Sequence, residues 1–250
     1  MNCHNQTIAQ EKNVEKKILL IGNPNVGKSV IFSRLTNIDV TSANYIGTTV
    51  TYYKGYVRFQ GKKAELIDVP GIYTLEAISK AEEVAVSMLE EGADLLVCVI
   101  DSTHFERNLR LALELKKYNI PIVYVLNMSD VAKRKGIVID VEKLSSLLGA
   151  KVYQTTATKR EGIIYLKEKL FEEHSNKSVT DPIVYSTKEI ADQVVSKQEV
   201  KVTKLEKFGD VSMHPIWGIF IALFILGVSL GIIVGGGKAL RSFILLPVLE

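Results

Sequence analysis

Residues 22–29 read Gly22-Asn23-Pro24-Asn25-Val26-Gly27-Lys28-Ser29, which fits the spacing G-x-x-x-x-G-K-[ST]. The run has the setting that pattern needs, with apolar Ile18 to Ile21 before it and the helical pattern Val30 to Leu35 after it. Glycines let such a loop wrap a polyphosphate with its amides turned inward, and the helix that follows adds the positive end of its dipole. Lys28 is placed to neutralise β- and γ-phosphate charge, and the Ser29 hydroxyl to ligate Mg2+. The plain alternative is a Gly/Asn/Pro turn ahead of a helix.

Strand and helix patterns alternate from about residue 16. Strands are expected near 17–22, 51–59, 63–68, 94–101, 121–127 and 151–155. Helices are expected near 28–36, 78–90, 105–118, 140–148 and 161–173. Short continuous apolar runs suit buried parallel strands, so the expected fold class is α/β: a P-loop domain with a doubly wound, mostly parallel six-stranded sheet. The strands on either side of Gln60-Gly61 predict an antiparallel edge.

Three further segments fall where such a sheet binds ligands, beyond strand C-terminal ends. Asp68-Val69-Pro70-Gly71 puts a carboxylate where it can hold the Mg2+ shell through water, and Gly71 leaves a backbone amide for a γ-phosphate. Asn127-Met128-Ser129-Asp130 resembles the N-K-x-D element of GTPases, with Met128 in place of lysine. Asp130 would accept from guanine N1 and N2, a donor pair adenine lacks, and Asn127 would brace the loops around the base. Thr155-Thr156-Ala157-Thr158 resembles the S-A-K loop whose amide contacts guanine O6, and assigns Thr156, Ala157 and Thr158 to the nucleotide.

Between the phosphate loop and Asp68, a flexible polar stretch from Asp39 to Thr49 precedes a strand. Gly47, Thr48 and Thr49 lie where a switch loop senses the γ-phosphate, and Thr49 is preferred over Thr48 as the second Mg2+ ligand. Ile72 stands where a Ras-like protein has its water-orienting glutamine. Hydrolysis therefore needs another device. Asn25 offers a neutral oxygen beside the β- and γ-phosphates, and a K+ held there could balance transition-state charge. The bland reading is that Asn25 braces its own loop. The catalytic set on this reading is Asn25, Lys28, Thr49 and Gly71.

With these residues in place, the chain resembles the N-terminal G-protein region of FeoB-type ferrous-iron transporters. The likeness is carried by Asn44-Tyr45-Ile46-Gly47-Thr48-Thr49-Val50, by Asp68-Val69-Pro70-Gly71-Ile72-Tyr73-Thr74-Leu75, and by Asp101-Ser102-Thr103-His104-Phe105-Glu106-Arg107-Asn108-Leu109. The run Val125-Leu126-Asn127-Met128-Ser129-Asp130 matches the family's Met form of the guanine motif, and His214-Pro215-Ile216-Trp217-Gly218 its approach to a first membrane helix. The resemblance implies a K+-stimulated GTPase, with the cation on Asn25 and the Mg2+-linked threonine at Thr49. Ile46 stands where the family has a switch proline, Thr156 where it has serine, and the segment ahead of the membrane helix is short for the family.

The chain of 250 residues, 47% hydrophobic, has length for one α/β domain and extras, and its net charge of +3 makes no case for nucleic acid. Cys3 and Cys98 form no metal spacing or disulfide framework, and Cys3-His4 in a polar tail makes a poor metal site. The first fifteen residues lack a signal-peptide core, which keeps the N-terminus in the cytosol. The expected organisation is a polar tail over 1–15, a GTP-binding domain over 16–173, a linker with a short helical segment over 174–210, and a membrane segment over 211–250. Asp181-Pro182 marks a break, and 186–208 reads as a charged helix or hairpin. A helix at about 215–235 is apolar on every face and long enough to span a bilayer. Gly227 and Gly231 have small-x-x-x-small spacing. Lys201, Lys204 and Lys207 favour a cytoplasmic side, while Lys238 and Arg241 follow the helix.

The sequence thus predicts a cytoplasmic GTPase domain tethered to the inner membrane, with GTP/GDP, Mg2+ and K+ as its small partners. Fe2+ transport, implied by the resemblance, would need the remaining transmembrane part of a transporter or partner helices. The alternatives are a membrane-anchored regulatory switch without transport, and a ribosome- or tRNA-modification-type GTPase.

Overall fold

A computed structural model of the chain describes residues 14–36, 40–174, 186–198, 212 and 217–240, with side chains of the last stretch described over 218–233. It divides into two compact units, Met1–Glu199 and Val200–Glu250.

The first unit begins with β1 (Lys16–Gly22), α1 (Lys28–Thr36), β2 (Val40–Asn44), β3 (Thr51–Phe59), β4 (Lys62–Asp68) and α2 (Lys80–Glu90). There follow β5 (Leu95–Asp101), α3 (Phe105–Glu114), β6 (Ile122–Asn127), α4 (Ser129–Arg134), β7 (Ile137–Ile139) and α5 (Val141–Leu148). It closes with β8 (Lys151–Gln154), α6 (Ile163–Lys169), α7 (Thr187–Val194) and β9 (Val195–Lys197). The main sheet has the order β2-β3-β4-β1-β5-β6-β8. Pairs from β4 to β8 are parallel, and β2-β3 and β3-β4 are antiparallel. The chain leaves β1 toward one edge and later returns to build the other. The loop after β1 therefore opens at the switch point where doubly wound sheets bind ligands.

Side-chain alternation explains the two-sided core. Leu19, Ile21, Cys98, Ile100, Tyr124 and Leu126 face one layer, which includes residues of α2, α3, α5 and α7. Ile18, Leu20, Val97, Val99, Val123 and Val125 face the other, with α1 and α6. Helix ends follow local chemistry: Ser79 and Glu82 form a capping box at the start of α2, and Asp140 caps α5, which ends at Gly149 in the left-handed region. Burial pushes the Cys98 thiol up to about 12, so this residue is a core hydrophobe.

The sheet expected to have six strands has seven among the described residues, and β7 and β9 form a second, two-stranded sheet. Val40–Asn44, read from sequence as part of a flexible polar stretch, is an edge strand exposed at every position. It shows no buried apolar face, and it is held by backbone pairing against β3 and by polar side-chain bonds at Thr41 and Asn44. The helix expected over 105–118 ends at Glu114 and tightens into a 3-10 turn at Leu115–Tyr118, closed by Asn119 in the left-handed region. Within the expected linker, α7 has a capping box of its own and buries Ile190, Ala191 and Val194. β9 then pairs with β7. These elements belong to the first compact unit.

In the second unit, α8 runs Trp217–Leu240. Ile219, Phe220, Leu223, Phe224, Ile225 and Leu226 are exposed on it. Among the described residues no helix is long and apolar enough to cross a membrane. The sequence readings at Cys3-His4, Asp181-Pro182, His214-Pro215-Ile216, Lys201, Lys204, Lys207 and Arg241 lie outside the described residues.

Candidate nucleotide site

The turn out of β1 is shaped by close approaches. A Cβ at Gly22 would meet the Val99 carbonyl oxygen at 2.6 Å, and one at Gly27 (φ 83) would fall on the Asn127 carboxamide. Asn25 also sits in the left-handed region, at φ 64, a conformation asparagine tolerates. Asn23, Pro24, Asn25, Gly27, Lys28 and Ser29 line a cleft of about 450 Å3 together with Gly71 and Met128. That volume lies within the range of small-molecule sites.

Lys28, Ser29 and Asp68 converge at the root of this cleft. Lys28 Nζ donates to Asp68 Oδ1 and, at 2.5 Å, to the Val69 carbonyl. The Ser29 hydroxyl lies 3.4 Å from Asp68 Oδ2. Burial raises the Asp68 pKa, and the Lys28 ammonium opposes that shift. The Ser29 hydroxyl and the Asp68 carboxylate side by side are oxygen donors that suit a hard divalent cation, once the Lys28 ammonium leaves the carboxylate.

Asn127 ties the site together from the end of β6. Its Nδ2 donates to the Val26 carbonyl at 2.9 Å, and its Oδ1 accepts from the Thr155 hydroxyl and the Ala157 amide, both at 3.1 Å. The phosphate loop and the last loop are thus held at one fixed spacing by a side chain only 3% exposed. Met128, at φ 59, lies alongside Gly27, where an added Cβ would stand 3.7 Å from Met128 Cε. Asp130 lines a neighbouring hollow of about 150 Å3 with Thr155, Thr156 and Gly162. Its pKa is lowered chiefly by a bond from Lys159, whose Nζ lies 2.9 Å from Oδ2. Sequence reasoning missed Lys159, which follows the last short motif, and gave no role to Thr155, which opens it. The signal was the run of polar residues around the expected base loop. Thr158 is exposed on the same turn.

The switch elements divide. A Cβ on Gly71 would meet Pro24 Cα at 3.2 Å, so this loop lies against the phosphate loop. The Ile72 amide bonds the Gly22 carbonyl at 3.3 Å while its side chain is buried. That side chain faces the core and cannot orient water. Gly47, Thr48 and Thr49 are not among the residues lining the cleft. The Thr48 hydroxyl closes its own loop, donating to the Tyr45 carbonyl at 3.1 Å and accepting from the Val50 amide at 3.2 Å. Thr49 beside it is exposed.

Residues 16–170 match the N-terminal family model of Ferrous iron transport protein B. The Fe(2+) transporter FeoB of Legionella pneumophila (strain Paris) is 38% identical over 186 residues, covering 72% of this chain and 24% of that protein. The chain therefore spans about a quarter of that relative's length. The cytosolic domain of L. pneumophila FeoB superposes with a TM-score of 0.67 at 30% identity, over 72% of this chain and 100% of that one. The cytosolic domain of T. maritima FeoB in its GMPPNP form does so with a TM-score of 0.61 at 35% identity, over 64% and 66% of the two chains. Phosphate loop, buried Asp68, bridging Asn127 and the matched length together make this chain a member of the ferrous iron transport protein B family, in which residues 16–170 are the N-terminal G domain.

Proposed function

We propose that this chain binds GTP with Mg2+ and hydrolyses it to GDP and phosphate with help from K+. On this reading it is the cytoplasmic part of an inner-membrane ferrous-iron uptake system, and its nucleotide state is coupled to Fe2+ transport. The observation that carries the guanine reading is the bridge made by Asn127, three residues before the Asp130 carboxylate in the chain, which ties the loop at Val26 to the loop at Ala157. The GMPPNP form of the T. maritima relative supports a nucleoside triphosphate as ligand.

The loop amides of Asn23 and of Asn25 to Ser29 would cradle the phosphates, with Lys28 moving from Asp68 to the β- and γ-oxygens. Mg2+ would be held by Ser29 and Thr49 directly and by Asp68 through water, and would supply charge neutralisation at the γ-phosphate. Asn25 would hold K+ with its side-chain oxygen, the remaining charge balance that Ile72 cannot provide. Hydrolysis would free the Thr49 and Gly71 loops. The exposed isoleucines and phenylalanines of α8, and the open space around Gly227 and Gly231, support a helix made for lipid and for close helix neighbours. Residues 218–233 hold no Cys, Asp or Glu to ligate Fe2+. The ion path would therefore belong to further membrane helices.

The test is GTP turnover in K+ against Na+ at fixed ionic strength, on wild type and Asn25→Ala. Stimulation of tenfold or more by K+, lost in the variant, is the expected result. Equal rates in both salts would remove the cation mechanism, and failure to bind GTP or GDP would remove the guanine reading.

A further inference from the structure

The loop from Val69 to Ile78 has no regular structure, yet one helix holds it at several points. Glu114, the last residue of α3, accepts the Leu75 amide at 2.9 Å and the Thr74 hydroxyl at 3.3 Å on Oε2. Its other oxygen accepts from Arg110 Nε at 3.0 Å, one helical turn back. Arg110 also reaches Glu76 at 3.4 Å. Arg107, on the same helix, places its guanidinium 5.1 Å from the centre of the Tyr73 ring. The Glu114 side chain is only 17% exposed, so its bonds are partly shielded from water.

The same helix bears the C-terminal part of the unit. Leu109, Leu111 and Ala112 share a core cluster with Ile190, Ala191 and Val194 of α7, and the two helices pack together. α7 runs straight into β9, which is paired with β7, the strand that follows α4.

We infer that Glu114 is a positioning residue for the γ-phosphate-sensing loop, and that α3 links that loop to α7. The inference rests on the GTP reading above. Gly71 and Thr74 are three peptide units apart, at most about 10 Å of extended chain. Anchoring Thr74 and Leu75 therefore bounds how far Gly71 can leave Pro24. A GTP-bound loop would be steadied by this anchor, and a loop released after hydrolysis would pull on α3. GDP, having no γ-phosphate, should be indifferent to it.

The experiment uses the full 250-residue chain in detergent, as wild type, Glu114→Ala, Glu114→Gln and Arg110→Ala. Affinity is measured for GMPPNP and for GDP. Glu114→Ala should lower GMPPNP affinity about tenfold while leaving GDP affinity within about twofold. Glu114→Gln keeps an acceptor for the Leu75 amide and should recover most of the loss, with Arg110→Ala intermediate. Unchanged GDP affinity also shows that each variant is folded. Hydrogen exchange over residues 187–194 should differ between the GMPPNP and GDP states of wild type, and this difference should vanish in Glu114→Ala. Parallel losses for both nucleotides, an unchanged ratio, or no wild-type difference in exchange would overturn the inference. A wild type that binds neither nucleotide would instead overturn the GTP reading itself.

Discussion

Single side chains decide what this site can recognise. Asp130 is the only carboxylate in the hollow beside the base loop other than Glu161, among the described residues that line it. Asp130→Asn should exchange guanine for xanthine, whose ring presents an acceptor where guanine presents a donor. Competition between GTP and xanthosine triphosphate checks this, and persistent GTP preference would take Asp130 out of base reading. Thr48 and Thr49 make a second discriminating pair. Thr48 already spends its hydroxyl on Tyr45 and Val50, whereas Thr49 is exposed and available to a cation. Thr49→Ala should therefore abolish Mg2+-dependent preference for GTP over GDP, about a tenfold effect, while Thr48→Ala should change it less. Equal effects would mean that loop integrity alone is being measured. That Asn23 to Asn25, Gly27 to Ser29, Gly71 and Met128 share one cleft was legible, because the motif spacings put them just beyond the ends of strands in one sheet. Lys159 beside Asp130, and Glu114 beneath Leu75, were not legible, because folding alone brings these pairs together.

Elements were legible where burial imposed a pattern. β1, β5 and β6 are buried along nearly their whole length and read as continuous apolar runs. β2 and β9 carry no such pattern, since each is held by backbone pairing on an exposed edge. α4 is too short to show a helical period. The 3-10 turn after α3 carries a property that sequence could not reveal, because desolvation lowers the Lys116 pKa to about 8 from 10.5. The folded pKa lies below the unfolded one, so between these values the unfolded chain binds more protons. Lys116 therefore makes stability rise with pH across about 8 to 10.5, and costs stability below that window. Lys116→Met should flatten that part of the curve and add about 1 kcal/mol at pH 7, a figure discounted for the partly exposed ammonium. Urea titrations of both proteins at several pH values check it, and parallel curves would show that the ammonium stays hydrated in the fold.

At the scale of the whole chain, the division into two units has a thermodynamic consequence. Met1–Glu199 contains the seven-stranded sheet, both core clusters and the β7-β9 pair that ties down α7. Both described core clusters are built from residues of this unit alone, so residues 1–199 made alone should fold and bind GDP with the affinity of the longer chain. The described part of Val200–Glu250 is the opposite case, because α8 shows large apolar side chains on every side and packs few of them. At about 25 cal/mol per Å2, leaving such a surface in water costs several kcal/mol, so lipid or other helices should cover it. The 250-residue chain is therefore expected to partition into the detergent phase, and residues 1–199 into the aqueous phase. Detergent phase separation followed by GDP titration of each fraction reads both properties at once. A longer chain that stays in the aqueous phase would end the membrane reading of α8, and a shorter one that precipitates or loses GDP would show that the G domain needs residues 200–250 to fold.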